Sequence, residues 1–247
     1  SVAYASLEPV LAQGALDLLD HPALIRELKL LERRPRPGGR DRIDHPRAGH
    51  DDHALVIPAD GLLHCTEHQA VGDLLFVQQD ELLPALLAGR GDIVASGLTI
   101  TPERKARADF SNPTFRNVSE IVVTGPASPH VVTLDDLAGQ EVFVRRSSSY
   151  YESLQRLNAG LRRRGLAPVR LREAPEALEN EDLLEMLNAG LVSLVVIDDF
   201  LATFWAQVLP DIRPQPGLAI STGGEIAWMF RKDSPQLKQE INAFLAR

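Results

Sequence analysis

The sequence predicts an α/β fold. Three observations carry that expectation. From residue 71 onward, apolar strand-like runs such as "DIVASG", "SEIVVTGP" and "LVSLVVID" alternate with amphipathic helical stretches. Helix starts are marked by Ser, Thr or Pro, and several helices run into glycine. Strands alternating with helices imply largely parallel sheets, and no repeat of solenoid period interrupts them.

In chain order, "DLLFVQ" is a strand candidate, and "QDELLPALLAGRG" is an amphipathic helix that ends on glycine. "DIVASG" is a buried strand. "TPERKARA" is a short helix with Thr101 as N-cap, Pro102 at the first position and Glu103 in the first turn. "VSEIVVTGP" is a strand, "TLDDLAGQ" a short helix and "EVFVRR" a strand. "SSSYYESLQRLNAGLRRRG" is a helix opened by serines. "PVRLREA" is a strand, "ENEDLLEMLNAG" a helix, "LVSLVVID" a buried strand and "DFLATFWAQV" a helix. "GEIAWMFRK" is a strand, and "SPQLKQEINAFLA" a helix capped by Ser234 with Pro235 at its first position.

The first 70 residues read differently. "LEPVLAQGALDLLDHPALIRELKLLERR" is helical in pattern, with Pro22 as a break or first-turn residue. Residues 33–68 are rich in Arg, Pro, Gly, His and Asp, and six of the seven histidines precede residue 70. Pro and Gly at this density punctuate any helix or strand. "HALVIPADGLLHC" offers one short strand at most. Text of this kind arises when a GC-rich gene is read out of frame; a divergent insertion is the other reading.

With 247 residues there is room for one large domain or two small ones. Hydrophobic residues make up 44% and charged residues 24%, which permits a core and a charged surface. A net charge of −8 argues against a nucleic-acid partner, which needs a basic footprint. It does not argue against small anions, since a few residues set a local field. No apolar run reaches membrane-spanning length, and the first residues lack the basic region of an intact signal peptide. Cys65 is the single cysteine, so no internal disulfide is possible.

Three strand ends gather polar chemistry. "SGLTITPER" places Ser96, Gly97 and Thr99 ahead of a helix N-terminus and Arg104, whose planar fork suits a carboxylate. The plainer reading is a capped helix with a solvated arginine. "VRRSSSYYESL" repeats the device with Ser148 and Ser149, or is simply a capping box with Ser149 at N-cap and Glu152 three residues on. "LVVIDDF" ends with Asp198 and Asp199, where a carboxylate meets an ammonium or caps the helix that follows. In open α/β sheets ligands gather at such strand ends.

The stretch "GRGDIVASGLTITPERKARADFSNPTF" resembles the family 3 extracellular solute-binding proteins, on Gly91-Asp92, Ser96-Gly97-Thr99, Arg104 and Phe110-Ser111-Asn112-Pro113. "LDDLAGQEVFVRRSSSYYESL" is similar to the family's next strand and serine loop, and the resemblance runs from residue 71 to 247. Within the family, "RNVSEIVVTGP", "EDLLEMLNAGLVSLVVIDDFLATFWAQVLPDI" and "GEIAWMFRKDSPQLKQEINAFL" are closest to the amino-terminal domain found in membrane-bound lytic murein transglycosylases F. The resemblance implies a type II periplasmic-binding fold: two lobes joined by two crossing strands. Lobe 1 would comprise residues 71–125 and 224–247, lobe 2 residues 126–223, and residues 1–70 an atypical segment. Arg104 would grip a ligand carboxylate with Thr99 beside it, and Gly97 and Ser96 would line the site. Ser148 and Ser149 would close from lobe 2, and Asp198 would take the amino group. The implied ligand is amino-acid-like or a muropeptide. Implied partners are a membrane permease or a fused peptidoglycan-cleaving domain, in a periplasmic or outer-membrane-associated setting. No cofactor, metal or catalytic residue is implied for this domain.

Departures from the family pattern are Ser193, where an aspartate is usual, and Arg145-Arg146 ahead of the serine loop, which would favour a more anionic ligand. The family's first strand, aromatic loop and following helix are not legible in residues 33–70. Other readings are a stand-alone amino-acid receptor of an ABC transporter, and a cyclohexadienyl-dehydratase-like enzyme using Glu173 or Glu225 as acid. A further one is a degenerate interaction module. His64 and His68, with Cys65 or Glu67, share a helical face but lack the metalloprotease order.

Overall fold

In the computed structural model, which describes residues 32–34, 42–44, 54–57 and 75–246, the alternation read from the sequence becomes a ladder of strands joined by helices. β1 (Glu32–Arg34) and β2 (Arg42–Asp44) pair antiparallel, with Glu32 opposite Asp44, in a unit spanning residues 1–52. Glu32, Arg33 and Arg34, expected to close a helix, are therefore extended; the rest of that stretch lies outside the described residues.

The second unit spans residues 53–247. It contains β3 (Ala54–Ile57), β4 (Leu75–Val77), α1 (Gln79–Leu87), β5 (Ile93–Thr99), α2 (Pro102–Arg107), β6 (Asp109–Phe110) and β7 (Phe115–Thr124). A 3₁₀ turn (Leu134–Leu137) leads to β8 (Glu141–Arg145), α3 (Ser149–Arg163), β9 (Arg170–Ala174) and α4 (Asn180–Asn188). β10 (Leu194–Asp198), α5 (Asp199–Trp205), β11 (Arg213–Phe230) and α6 (Pro235–Leu245) complete it. The strand order is β4-β3-β5-β11-β7-β10-β8-β9, with β6 also on β11.

Only β10-β8-β9 is parallel; β4-β3-β5-β11-β7-β10 is antiparallel throughout. The expectation of largely parallel sheets holds for one lobe alone. The reason is that β7 and β11 run between the lobes in opposite directions, and β3 enters antiparallel to β5, Val56 opposite Val94. A strand from the Pro/Gly/His-rich region thus lies between β4 and β5. The aromatic loop and helix that the family pattern puts before α1 fall outside the described residues.

Each lobe builds its core from the pattern that predicted it. In the first, Val94, Leu98, Ala227 and Met229 face Leu82 and Leu86 of α1, while Ile93 and Phe230 pack on Ile241 of α6. Alternate residues of one sheet therefore feed two helical layers. In the second, every residue of β10 is buried, as expected for a central strand covered on both faces. Leu154, Leu161, Leu184 and Leu187 of α3 and α4 belong to that fully buried set. Asp92, in the Gly-x-x-Asp segment, is structural: it pairs with Arg231, whose guanidinium also donates to the Gly91 carbonyl at 2.7 Å.

β11 begins eleven residues before the stretch read as a strand, at Arg213 rather than Gly224. Pro214, Pro216 and Gly217 signal turns, yet pairing with β7 keeps the chain extended, and register shifts between Gln215 and Gly224 absorb them. Where the two long strands cross, Asn117 (φ 59°) and Gly223 (φ 70°) both adopt left-handed backbone, next to the Val118–Gly224 pair. Gly125, just past β7, is demanded by packing: a Cβ there would lie 2.4 Å from the Leu187 carbonyl oxygen.

Candidate functional site

The β5–α2 connection is built by a local irregularity. Between Val94 and Leu98, β5 has three residues facing a single one, Trp228, between Met229 and Ala227 on β11. Ser96, half-buried, and Gly97, exposed, lie in this excursion. A Cβ on Gly97 would touch only Ile226 Cγ2, at 3.9 Å, so the protein's own packing does not require glycine there. Thr101 caps α2 as expected, accepting from the Arg104 amide at 3.3 Å, with Pro102 at the first helical position. The Thr101 hydroxyl in turn donates to Glu152 Oε1 of α3 at 3.1 Å.

Arg104 is 9% exposed rather than solvated. Its Nη1 donates to the Thr99 carbonyl at 2.8 Å and its Nη2 to the Ser147 carbonyl at 2.9 Å. One guanidinium therefore bridges the end of β5 and the serine loop. Burial lowers its proton affinity, and Glu152, Tyr150, Glu120 and Glu103 act the other way. An arginine in such company remains a cation.

The serine loop divides its labour. Ser147 is tied down by Glu176, which accepts from its amide at 3.1 Å and from its hydroxyl at 2.6 Å. Ser148, not Ser149, is the N-cap of α3: it accepts from the Tyr151 amide and donates to the Arg145 carbonyl at 2.7 Å. Its single hydroxyl proton is thus used by the fold. That frees Glu152 from the expected capping box and frees Ser149, whose hydroxyl meets Thr99 Oγ1 at 3.3 Å. Arg145 and Arg146 do not supply cations to the site. Arg145 is buried against Glu179 and Asn180, both at 2.9 Å, and Arg146 pairs with Glu173 at the surface. Ser193 fills its altered position by a 3.4 Å bond to the Glu141 carbonyl.

Beneath this clasp lies Asp198, 3% exposed at the end of β10. It faces two groups absent from the sequence reading. Glu120, 4% exposed, is its cross-strand partner on β7. Tyr150, in the first turn of α3, brings its hydroxyl to 3.4 Å from the Asp198 amide. Burial, then the charge of Glu120, pushes the Asp198 carboxyl up to about 7, against the pull of Tyr150 and Arg104. Burial, then Asp198 and Glu120, pushes the Tyr150 phenol up as well, so it stays a donor. Asp199 caps locally, its Oδ1 accepting from the Phe200 amide at 2.9 Å. The Phe200 ring stacks on Phe115 of β7, centroids 5.0 Å apart and 4° from parallel.

The fold thus gathers Thr99, Arg104 and Ser149 at one junction, sets Asp198 below them, and leaves Ser96 and Gly97 on the β5 excursion. Glu120 was hidden in the apolar run "SEIVVTGP", where one acid among strand-formers was the available signal. Glu173 and Glu225, the acids a dehydratase would need in the cleft, are instead about half exposed and paired with Arg146 and Arg116. Among the described residues no group of three or more His, Cys, Asp or Glu is placed to hold a metal. The His64, Cys65, Glu67 and His68 set lies outside the described residues. No helix among the described residues is long and apolar enough to cross a membrane.

Residues 73–247 match the family described as bacterial extracellular solute-binding proteins, family 3. Among curated relatives, membrane-bound lytic murein transglycosylase F of Desulfosudis oleivorans is 32% identical over 166 residues, covering 67% of this chain and 34% of that protein. The protein of the same name from Maricaulis maris is 32% identical over 151 residues, covering 61% of this chain and 31% of its own length. The chain thus spans about a third of the length of the curated relatives it matches. An ancestral arginine-binding protein, solved bound to arginine, is 26% identical with a TM-score of 0.57, covering 70% of this chain and 72% of that one. The substrate binding protein of an amino acid ABC transporter, 21% identical, shares the fold with a TM-score of 0.60 over 86% of this chain and 85% of its own. With two lobes joined by two crossing strands in the type II periplasmic-binding arrangement, the chain belongs to the family 3 bacterial extracellular solute-binding proteins.

Proposed function

We propose that this chain is a periplasmic binding module that holds a small amino-acid-like or peptide ligand by its carboxylate between two lobes. The observation that carries the proposal is the buried Arg104, whose guanidinium reaches from Thr99 to the Ser147 carbonyl. A ligand carboxylate entering between them would replace carbonyl acceptors with a charged one, a stronger hydrogen-bond partner. Lobe 1 is assigned residues 71–125 and 224–247, and lobe 2 residues 126–223. Thr99, Ser149, Ser96 and Gly97 complete the carboxylate side, and Asp198 takes the amino group. Ser148 contributes by holding the start of α3. Opening and closing is a hinge motion biased by contacts made in one state only.

The likeness to lytic murein transglycosylases F supports a regulatory role beside a peptidoglycan-cleaving domain, with a muropeptide as ligand. A second reading, an amino-acid receptor serving a permease, draws on the likeness to the arginine-bound protein. Thermal melts with a panel of free amino acids and purified stem peptides separate the two. The first reading expects a rise in Tm with stem peptides, the second with one free amino acid. A chain whose Tm moves with neither sinks the carboxylate clamp.

A further inference from the structure

Glu120 and Asp198 sit side by side on β7 and β10, nearly inaccessible to water, and Glu120 Oε2 and Asp198 Oδ1 have no hydrogen-bond partner among the described residues. Two adjacent buried carboxylates, each with an oxygen left unpartnered, are an unstable arrangement unless a proton or a cation joins them. The charged and titratable groups around them are few. Arg104 of α2 is engaged by the Thr99 and Ser147 carbonyls, with Glu103 beside it. Arg145 of β8 is engaged by Glu179 and Asn180. Tyr150 and Glu152 come from α3, Asp199 from α5, and the β11 neighbour of Glu120 is the uncharged Ser221. None of these gives the pair a cation of its own. Arg104 is near enough to interact electrostatically with both acids.

We propose that Glu120 is a second carboxylate for the ligand: it and Asp198 jointly receive a primary ammonium group, and the proton that Asp198 holds without ligand leaves to solvent as that ammonium enters. The inference rests on the carboxylate-clamp reading and adds a ligand class to it, free primary amines rather than N-acylated ones. It also makes binding pH-dependent. An Asp198 carboxyl raised to about 7 holds its proton below neutrality. Affinity then rises as pH climbs toward 7, by roughly tenfold per unit, and levels off above it.

The test is isothermal titration of the intact chain from pH 5.5 to 8 in buffers of different ionisation enthalpy. The probes are L-arginine, L-glutamine, the dipeptide L-alanyl-D-glutamate, and the Nα-acetyl form of each. The inference expects a free-amine probe to bind with net proton release below pH 7. It expects the Nα-acetyl form to bind at least about 100-fold more weakly. Glu120→Gln, checked for native circular dichroism, should flatten the pH profile and weaken the same probe by about tenfold. Equal affinity for free and acetylated probes, or a Glu120→Gln profile matching the unmodified chain, overturns this inference while leaving the clamp standing. The acetyl comparison needs no variant, so its failure overturns the inference even where Glu120→Gln folds poorly. Failure of every probe to bind overturns the clamp and this inference together.

Discussion

The β5–α2 and β8–α3 connections look interchangeable in sequence and are used in opposite ways. Each follows a strand with hydroxyl residues and opens a helix. In the first, Thr101 is the cap and Thr99 remains available, while Arg104 reaches out of its own helix to another loop. In the second, the reaching is done by backbone: the Ser147 carbonyl receives Arg104, Ser148 is the cap, and Ser149 alone keeps a hydroxyl turned to Thr99. The lesson is that a run of hydroxyls does not say which one caps, and whichever caps is withdrawn from recognition. Shifting the cap by one residue, from Ser149 to Ser148, changes which side chain is free.

That division can be broken at its centre. Arg104→Ala removes the guanidinium that bridges both connections and leaves the Ser149–Thr99 and Thr101–Glu152 bonds in place. Two charge-assisted hydrogen bonds to a ligand carboxylate are worth enough that affinity should fall by about 100-fold or more. Native circular dichroism should survive, because the cap of α2 is made by Thr101 and the Arg104 amide, not by the guanidinium. Titration calorimetry on the variant measures the first effect and a thermal melt the second.

The next largest effect concerns stability. An acid whose folded value is raised from 3.8 to about 7 binds its proton more tightly in the folded state than in the unfolded one. Its favourable contribution is complete below the unfolded value and is lost as pH rises through the folded one. Asp198→Asn should therefore stabilise the empty protein at pH 8, by up to about 4 kcal/mol, and have little effect near pH 4. Urea melts at pH 4, 6 and 8 read this directly. A variant equally destabilised at all three would show that Asp198 is held ionised by a partner.

The comparison of hydroxyls gives smaller numbers. Ser148→Ala and Thr101→Ala should each cost about 1 kcal/mol of stability, the usual value of a lost N-cap. Ser149→Ala loses only the contact with Thr99 and should cost less than a lost cap, about 0.5 kcal/mol, while weakening ligand affinity several-fold. If Ser148→Ala and Ser149→Ala exchange these signatures, the cap has been assigned to the wrong serine. Similar in size is Phe200→Ala. It removes the stack on Phe115, worth about 0.5–1.5 kcal/mol beyond buried area, and should show as a slightly lower Tm.

Much of this was legible in the sequence because local chemistry decides it. Thr101-Pro102 starts α2, and the continuous apolar run 194–197 makes a strand buried on both faces. The half of β11 before Gly224 was not legible, because Pro214, Pro216 and Gly217 carry turn signals that only pairing with β7 overrides. Nor was the antiparallel entry of β3, since strand direction is set by neighbours distant in the chain. Within the candidate site, Arg104, Thr99 and Asp198 were picked out by their places at strand ends and by the family resemblance. Glu120 and Tyr150 did not: each becomes relevant only when β7 and α3 are laid against β10, which no local window contains.

The central claim is that Arg104 recognises a carboxylate presented to both connections. A paired titration tests it most directly, setting an amino acid or stem peptide that binds against the same compound with its carboxylate converted to the carboxamide, on the unmodified chain and on Arg104→Ala. The expected result is tight binding of the carboxylate form to the unmodified chain, and a loss of about 100-fold for the amide that disappears once Arg104 is gone. Equal binding of acid and amide, or full binding to Arg104→Ala, would contradict it.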